Sequence, residues 1–206
     1  MSYTFSIETG LSLLDQMIGG GVNTGELMII GGRPGMGCTS LFEQIKKHNR
    51  NSWCLDCSSF ADLNQLKQVF DSVQDWRNRY IVYDNLEALK RIGPEGIFFL
   101  KETAVRCSIP IAATVKLPRS VELRQNRRPV VADFEQSFCS TETDCPVHNP
   151  VRQNADIIIG LYRPSYYYDG KAMPGEADEI IVLQNPRGMP GTIQASFCYP
   201  VWNTNP

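Results

Sequence analysis

Residues Gly32 to Ser40, GRPGMGCTS, have the spacing of a loop that binds phosphate groups. Two glycines bracket a six-residue span, and a threonine comes two residues after the second, as in the pattern GxxxxGK[ST]. In such a loop the backbone N–H groups point at the phosphates of a nucleotide, and the following helix N-terminus adds partial positive charge. The predicted nucleotide-binding residues are Gly32, Arg33, Pro34, Gly35, Met36, Gly37, Cys38, Thr39 and Ser40.

One position of this loop departs from the pattern, because Cys38 stands where the lysine belongs. That lysine brings a mobile full charge to the phosphates, whereas a thiol is a weak donor without charge. The hydroxyl of Thr39 can still hold magnesium, together with Asp84 at the end of an apolar strand. The alternative for Asp84 is a carboxylate that caps a strand-to-loop turn. We therefore expect ATP and magnesium as cofactors if the loop binds a nucleotide at all.

The segments around the loop predict alternating strands and helices. Residues 26–31 form an apolar run before the loop, and residues 41–47 read as the helix after it. Further strands are predicted at 52–56, 79–84, 109–115 and 155–162, helices at 60–77 and 94–107, and a C-terminal hairpin from 179–183 and 192–198. This order predicts an α/β fold with a mainly parallel, twisted sheet and helices on both faces. Ligands then bind at the carboxyl ends of the strands, where the phosphate loop, Asp56, Asp84 and Lys116 fall.

Composition limits the classes of function. The chain has 206 residues, 42% of them hydrophobic, and we expect one domain over residues 1–206. The net charge of −2 excludes a global basic field, so nucleic acid would need a local patch. Seven cysteines are an odd count, and several lie in apolar runs, which favours reduced thiols. With no signal peptide and no run of about 20 apolar residues, we expect a cytoplasmic protein without membrane contact.

Four longer segments carry a resemblance to a known family. The stretch TGLSLLDQMIGGGVNTGELMIIGGRPGMG resembles the RecA-like motor domain of DnaB-type replicative helicases and, more distantly, the RadA and KaiC group. The segments KLPRSVELRQNRRPVVADFEQS, VRQNADIIIGLYR and DEIIVLQNPRGMPGTI follow the order and spacing of the helicase branch. The resemblance implies a RecA-like P-loop NTPase fold over nearly the whole chain. The N-terminal helical domain and linker helix of the helicases are not expected in this sequence.

The resemblance also implies roles for residues at the reaction centre. Asp56 corresponds to the family's catalytic glutamate, and Lys116 to its phosphate-sensing glutamine. The Lys-x-Arg pair that enters a neighbouring subunit's site corresponds to Gln184 and Pro186, which leaves Arg187 one position late. Thr39 and Asp84 are retained. The catalytic residues expected on this basis are Asp56, Lys116 and Arg187, with Lys116 either replacing the lost lysine or simply starting a solvated basic loop.

The stretch from residue 116 to 128, KLPRSVELRQNRR, holds five basic residues and one acidic residue. The resemblance places this region near single-stranded DNA, and backbone phosphate binding would use Arg119, Arg124, Arg127 and Arg128. The alternative is a solvated charged loop, since no aromatic residue is interleaved to stack bases. Cys139, Cys145 and His148 lie in what resembles an insertion, but their spacing lacks a fourth ligand, so zinc is not expected.

Three functions fit these observations. The first is a helicase-related protein of DNA replication or recombination with impaired ATP hydrolysis, a pseudo-ATPase that binds single-stranded DNA or a replicative helicase partner. The second is an active ATP-dependent helicase motor, assembled as a homo-oligomeric ring, with Lys116 as the relocated lysine. The third is a structural interaction protein with an empty phosphate loop, although glycines retained at an entropic cost of about 0.5–1 kcal/mol each favour the first two.

Overall fold

The computed structural model describes residues 5–56, 63–73, 75–84, 94–138, 150–167 and 177–204. The described strands are β1 (Ser6–Ile7), β2 (Val22–Asn23), β3 (Leu27–Gly32), β4 (Trp53–Asp56), β5 (Arg79–Tyr83), β6 (Ile111–Lys116), β7 (Ile157–Tyr162), β8 (Asp178–Gln184), β9 (Gly191–Cys198) and β10 (Val201–Asn203). The described helices are α1 (Ser12–Met17), α2 (Cys38–His48), α3 (Leu63–Ser72), α4 (Pro94–Cys107), α5 (Ser120–Leu123), α6 (Val131–Gln136), α7 (Pro150–Asn154) and α8 (Pro164–Tyr167).

Eight strands form one sheet in the order β10-β9-β8-β7-β3-β6-β5-β4. The five strands from β7 to β4 are parallel, and β8, β9 and β10 continue the sheet in antiparallel fashion. β3 lies in the middle, and all six of its residues are buried because helices cover both faces. The mainly parallel sheet and the C-terminal hairpin of β8 and β9 confirm the predicted fold class.

Alternate side chains of the central strands point into two separate cores. Leu27 and Ile29 of β3 pack with α3 and α4 on one face. Met28 and Ile30 face the other side, where they pack with α1 and α2 and with Trp202 of β10. This period of two fixes the strand register, since a slip of one residue would exchange the two cores. The end of β3, and with it the phosphate loop, is therefore held from both faces.

Some elements were not evident from the sequence. The two-residue strands β1 and β2 form a separate antiparallel ribbon, and β10 extends the hairpin of β8 and β9 into a third antiparallel strand. Such short elements carry too few alternating residues to be seen as a pattern. Within the predicted helix 60–77 the described helical part is Leu63–Ser72. Cys139, Cys145 and His148 lie outside the described residues, so the zinc question is not addressed. Among the helices that the structure describes, none combines the length and the apolar character needed to cross a bilayer.

Candidate functional site

The phosphate loop connects the end of β3 to the first turn of α2. The amide of Met36 donates to the carbonyl of Arg33 at 3.0 Å, which closes the turn. Gly35 and Gly37 have φ angles of 87° and 91°, a region that side chains with a Cβ rarely adopt. These conformations curl the chain so that the amides at the start of α2 face a common cavity. The glycine spacing thus builds the cradle that the sequence predicted.

A cavity of about 510 Å³ lies over this loop at the carboxyl end of the sheet. Its volume falls within the range of small-molecule sites. The predicted site residues that line it are Gly32, Arg33, Pro34, Gly35, Gly37, Cys38, Thr39, Ser40, Asp84 and Lys116. Met36 does not line it, because its side chain is 1% exposed and packs in the core below the loop. Residues from four different elements therefore meet at one site.

Cys38 lies at the first position of α2 and faces into the loop. A Cβ added to Gly32 would lie 2.9 Å from its sulfur, so the thiol fills the space beside the first glycine. Burial, together with the nearby Asp84 carboxylate, raises the pKa of the Cys38 thiol to about 12. The thiol is therefore neutral at physiological pH and brings no positive charge to the cavity.

Two oxygen-bearing side chains could hold a magnesium ion. Thr39 and Asp84 both line the cavity, and hydroxyl and carboxylate oxygens are the ligands that this ion prefers. The hydroxyl of Thr114 on β6 donates to Asp84 Oδ1 at 2.5 Å, which orients the carboxylate. The donor set fits magnesium, so the sequence-based assignment of these two residues has a geometry that can support it.

Lys116 ends β6 beside the phosphate loop. In the parallel pairing of β3 with β6, Gly32 is opposite Lys116, and the amide of Leu117 donates to the carbonyl of Gly32 at 3.0 Å. The side chain of Lys116 is exposed and lines the cavity. It is thus a cation at the loop's entrance, whereas Cys38 lies at its base.

The other two expected catalytic residues lie farther away. Asp56 ends β4, three strands from β3, which is about 14 Å at the usual strand spacing. Its side chain is outside the described part of the structure, so its role as a general base stays a prediction.

Arg187 lies at the opposite edge of the sheet, beyond Gln184 at the end of β8. Its guanidinium donates to the carbonyls of Ile18 and Gly21 and pairs with Glu26. It does not line the cavity of its own chain, and a role toward a neighbouring subunit stays a prediction.

Residues that the sequence reading did not select cover the mouth of the cavity. Phe197 and Tyr199 from the end of β9 line it, as does Arg163 after β7. Arg163 Nη1 donates to the carbonyl of Gly35 at 2.6 Å, and its guanidinium lies 4.3 Å from the centre of the Phe197 ring. The closeness of β9 to the loop depends on sheet order, which no local motif reveals. These rings and this cation give the site a wall against which a planar base could stack.

The basic stretch of residues 116–128 is only partly available to solvent anions. Arg124 forms two hydrogen bonds of 2.6 and 2.8 Å with Asp133, and Arg128 forms two of 2.7 and 2.6 Å with Glu179. Arg127 lies over the ring of Tyr167, 4.8 Å from its centre. Arg119 is exposed. Four arginines that the sequence presents as one group thus have different surroundings, and DNA binding by them stays a prediction.

Replacing Arg124 with alanine should lower the free energy of unfolding by about 1–2 kcal/mol, because the partner Asp133 would lose a bidentate ion pair. The Asp133 side chain is 4% exposed and also accepts the amide of Val130 at 2.8 Å at the start of α6. Urea unfolding followed by circular dichroism measures the change. Arg119→Ala removes the same charge from an exposed position and should change stability by less than about 0.5 kcal/mol. Equal losses in the two variants would contradict a structural role for Arg124.

Comparison with known proteins places the chain in a sequence family. The model described as DnaB-like helicase C terminal domain matches residues 6–69 and 98–202. The replicative DNA helicase DnaB of Geobacillus stearothermophilus is 34% identical over 98 residues, which are 48% of this chain and 19% of the relative. The replicative DNA helicase DnaC of Bacillus subtilis is 33% identical over 98 residues with the same coverage. The matched segment therefore spans about a fifth of the length of these curated relatives.

Three solved structures share the fold. One of them, a separately solved ATPase domain, superposes with a TM-score of 0.72 at 18% identity, covering 98% of this chain and 92% of that one. A DnaB-like replicative helicase, solved in a study of its interactions with primase, gives 0.68 at 19% identity over 95% of this chain and 60% of its own. A KaiC-like protein from Pyrococcus horikoshii OT3 gives 0.63 at 11% identity over 99% and 100%. These likenesses confirm the RecA-like fold expected from the sequence.

Proposed function

Because the chain belongs to the DnaB-like helicase C-terminal domain family, we propose that it serves DNA replication as a nucleotide-binding, helicase-related domain with impaired ATP hydrolysis. The observation that carries this proposal is the neutral Cys38 thiol inside a phosphate loop whose other groups are in place. The cradle, Thr39 and Asp84 can bind a nucleotide with magnesium. What is missing is the positive charge that stabilises the transferring phosphoryl group.

The magnitude of the missing charge favours impairment over a modest slowing. A hydrogen bond to a charged group contributes roughly 1.5–3 kcal/mol, and each 1.4 kcal/mol corresponds to about tenfold in rate. The loop lysine is absent, and Gln184 and Pro186 replace two further cations that the family resemblance leads us to expect from a neighbouring subunit. Gln184 is already engaged with the carbonyls of Arg152 and Ala155. Loss of all three charges would slow hydrolysis by several orders of magnitude.

A bound magnesium ion would neutralise part of the phosphate charge. Thr39 and Asp84 are the residues that would hold it, and the hydrogen bond from Thr114 would keep the Asp84 carboxylate turned toward the cavity. Phe197, Tyr199 and Arg163 would flank the base. Binding can therefore survive the loss of Cys38's counterpart, because the amides and the ion still face the phosphates.

A second candidate is an active motor that uses Lys116 as its phosphate-binding cation. The observation that favours it is the position of Lys116, which lines the cavity opposite Gly32. In that case the chain would work as a ring of identical subunits, with Asp56 as general base and Arg187 acting on its neighbour. In the impaired form it would instead bind a replicative helicase partner, single-stranded DNA or both.

Calorimetric titration with Mg-ATP, run beside a phosphate-release assay, separates these functions. We expect binding that requires magnesium, with no phosphate release above a protein-free control. Thr39→Ala is the matched control, since loss of one ion ligand should weaken binding by about tenfold without altering the amides. Turnover stimulated by single-stranded DNA would instead support the active motor. Absence of binding would overturn both and leave the domain as a scaffold with an empty loop.

A further inference from the structure

A second cavity adjoins the nucleotide pocket. It has a volume of about 430 Å³ and shares three lining residues with that pocket, Arg33, Pro34 and Lys116. Its remaining wall consists of Leu117, Pro118, Arg119 and Tyr166. The two cavities therefore meet along one stretch of the phosphate loop and the end of β6. We call the second cavity the Arg119 cleft.

The Arg119 cleft is positively charged and open to solvent. Lys116 and Arg119 are both exposed along its edge. Arg33 is 9% exposed, donates to the carbonyl of Leu117 at 2.7 Å and pairs with Glu122 at 2.8 Å, so it fixes the wall while its charge is compensated. Among the described residues that line the cleft there is no carboxylate. The cleft therefore presents two cations to solvent and favours an anion.

An aromatic ring from a distant part of the chain completes the cleft. Tyr166 of α8 is 43% exposed, and a Cβ added to Gly35 would lie 3.0 Å from its ring. The ring also packs edge-on against Tyr167, with centroids 5.1 Å apart. These contacts hold the ring beside the phosphate loop and leave part of its surface open. The basic stretch lacks an interleaved aromatic residue in sequence, but the fold supplies one in space.

We propose that the Arg119 cleft binds one nucleotide unit of single-stranded DNA, with its phosphate between Lys116 and Arg119 and its base on the ring of Tyr166. Alternating cationic and aromatic groups are the chemistry by which proteins hold single strands without reading sequence. A base within a duplex has both faces stacked and could not use the ring. The proposal goes beyond nucleotide binding in the pocket and does not depend on hydrolysis. Because Lys116 borders both cavities, the DNA phosphate and the end of the nucleotide's triphosphate would lie close to the same cation.

Fluorescence anisotropy with a labelled oligodeoxythymidine tests this proposal on the full chain. The variants are Arg119→Ala, Tyr166→Ala and Tyr166→Phe, with Arg50→Ala as the matched charge control. Arg50 is exposed just beyond the far end of α2, about 18 Å from the phosphate loop at 1.5 Å per residue. Circular dichroism shows whether each variant is folded. Titration with Mg-ATP on the same proteins reports the nucleotide pocket separately, so that failure of one site is not mistaken for failure of the other.

We expect Arg119→Ala to weaken DNA binding about tenfold and to lower the slope of log affinity against log salt by about 0.7. Tyr166→Ala should weaken it about tenfold, Tyr166→Phe less than about twofold, and Arg50→Ala not measurably. An abasic oligomer should be insensitive to Tyr166→Ala. Unchanged affinity in both Arg119→Ala and Tyr166→Ala, or no binding by the unaltered protein, would overturn the proposal. So would binding of free thymidine monophosphate as tight as that of the oligomer, which would identify a mononucleotide site instead.

Discussion

Replacing Cys38 with lysine is expected to tighten the binding of Mg-ATP by about 10- to 100-fold. The side chain at this position already points into the phosphate loop, beside Gly32. A lysine there would replace a neutral thiol by an ammonium group in reach of the phosphates, and hydrogen bonds of this charged kind are worth roughly 1.5–3 kcal/mol. Asp84, whose carboxylate helps to raise the pKa of the present thiol, would help to keep the ammonium charged.

Calorimetry measures this change, and Cys38→Met is the matched control because methionine is comparable in length and carries no charge. Methionine should leave the affinity unchanged or lower it. If lysine and methionine gave the same affinity as cysteine, the geometry of the loop rather than the missing charge would limit binding. Phosphate release by Cys38→Lys should remain low, because Gln184 and Pro186 would still provide no cation to a neighbouring site.

Replacing Trp202 with alanine is expected to lower the free energy of unfolding by about 3–5 kcal/mol. The side chain is fully buried, and its ring centroid is 5.1 Å from that of Phe197. Its indole N–H donates to the carbonyl of Gly37 at 3.1 Å, while its backbone exchanges two hydrogen bonds of 3.2 Å with the Gln44 side chain of α2. Alanine would leave a large cavity and an unsatisfied carbonyl in the phosphate loop, so nucleotide binding should weaken as well.

Urea unfolding followed by circular dichroism measures the loss of stability. Trp53→Ala is a matched control, because Trp53 is 49% exposed and its ring contacts the guanidinium of Arg79 at 4.4 Å. That variant should lose less than about 1 kcal/mol. Trp202→Phe, which keeps most of the volume but removes the N–H, should fall between the two. A loss below about 1 kcal/mol for Trp202→Ala would show that β10 does not support the loop.

The support from β10 links the C-terminal strands to the candidate site. β9 supplies Phe197 and its end supplies Tyr199 to the cavity wall, and β10 fastens the first residues of α2 through Trp202. A Cβ added to Gly37 would lie 2.7 Å from the Trp202 indole nitrogen, which leaves room only for glycine at this point. The loop conformation therefore depends on residues more than 150 positions away in the sequence.

The sequence by itself determined the local part of this protein. The glycine spacing predicted the phosphate loop, and the apolar periodicity predicted the strands that end at Gly32, Asp56 and Lys116, because these features depend on neighbouring residues. Alternating strands and helices predicted the parallel sheet, since a parallel pair needs a crossover connection. The substitution at Cys38, which motivates the proposed loss of hydrolysis, could also be read directly.

Only the tertiary structure decided which charges oppose one another. Arg124 and Arg128 belong to one basic stretch in sequence, but the fold sets them against Asp133 and Glu179. Arg119 and Tyr166 lie far apart along the chain, yet they line one cleft. Ion pairing and stacking act over a few ångströms, and the residues that satisfy them are brought together by sheet order and helix packing rather than by sequence spacing. For that reason the sequence located the nucleotide pocket, and the fold alone showed what surrounds it.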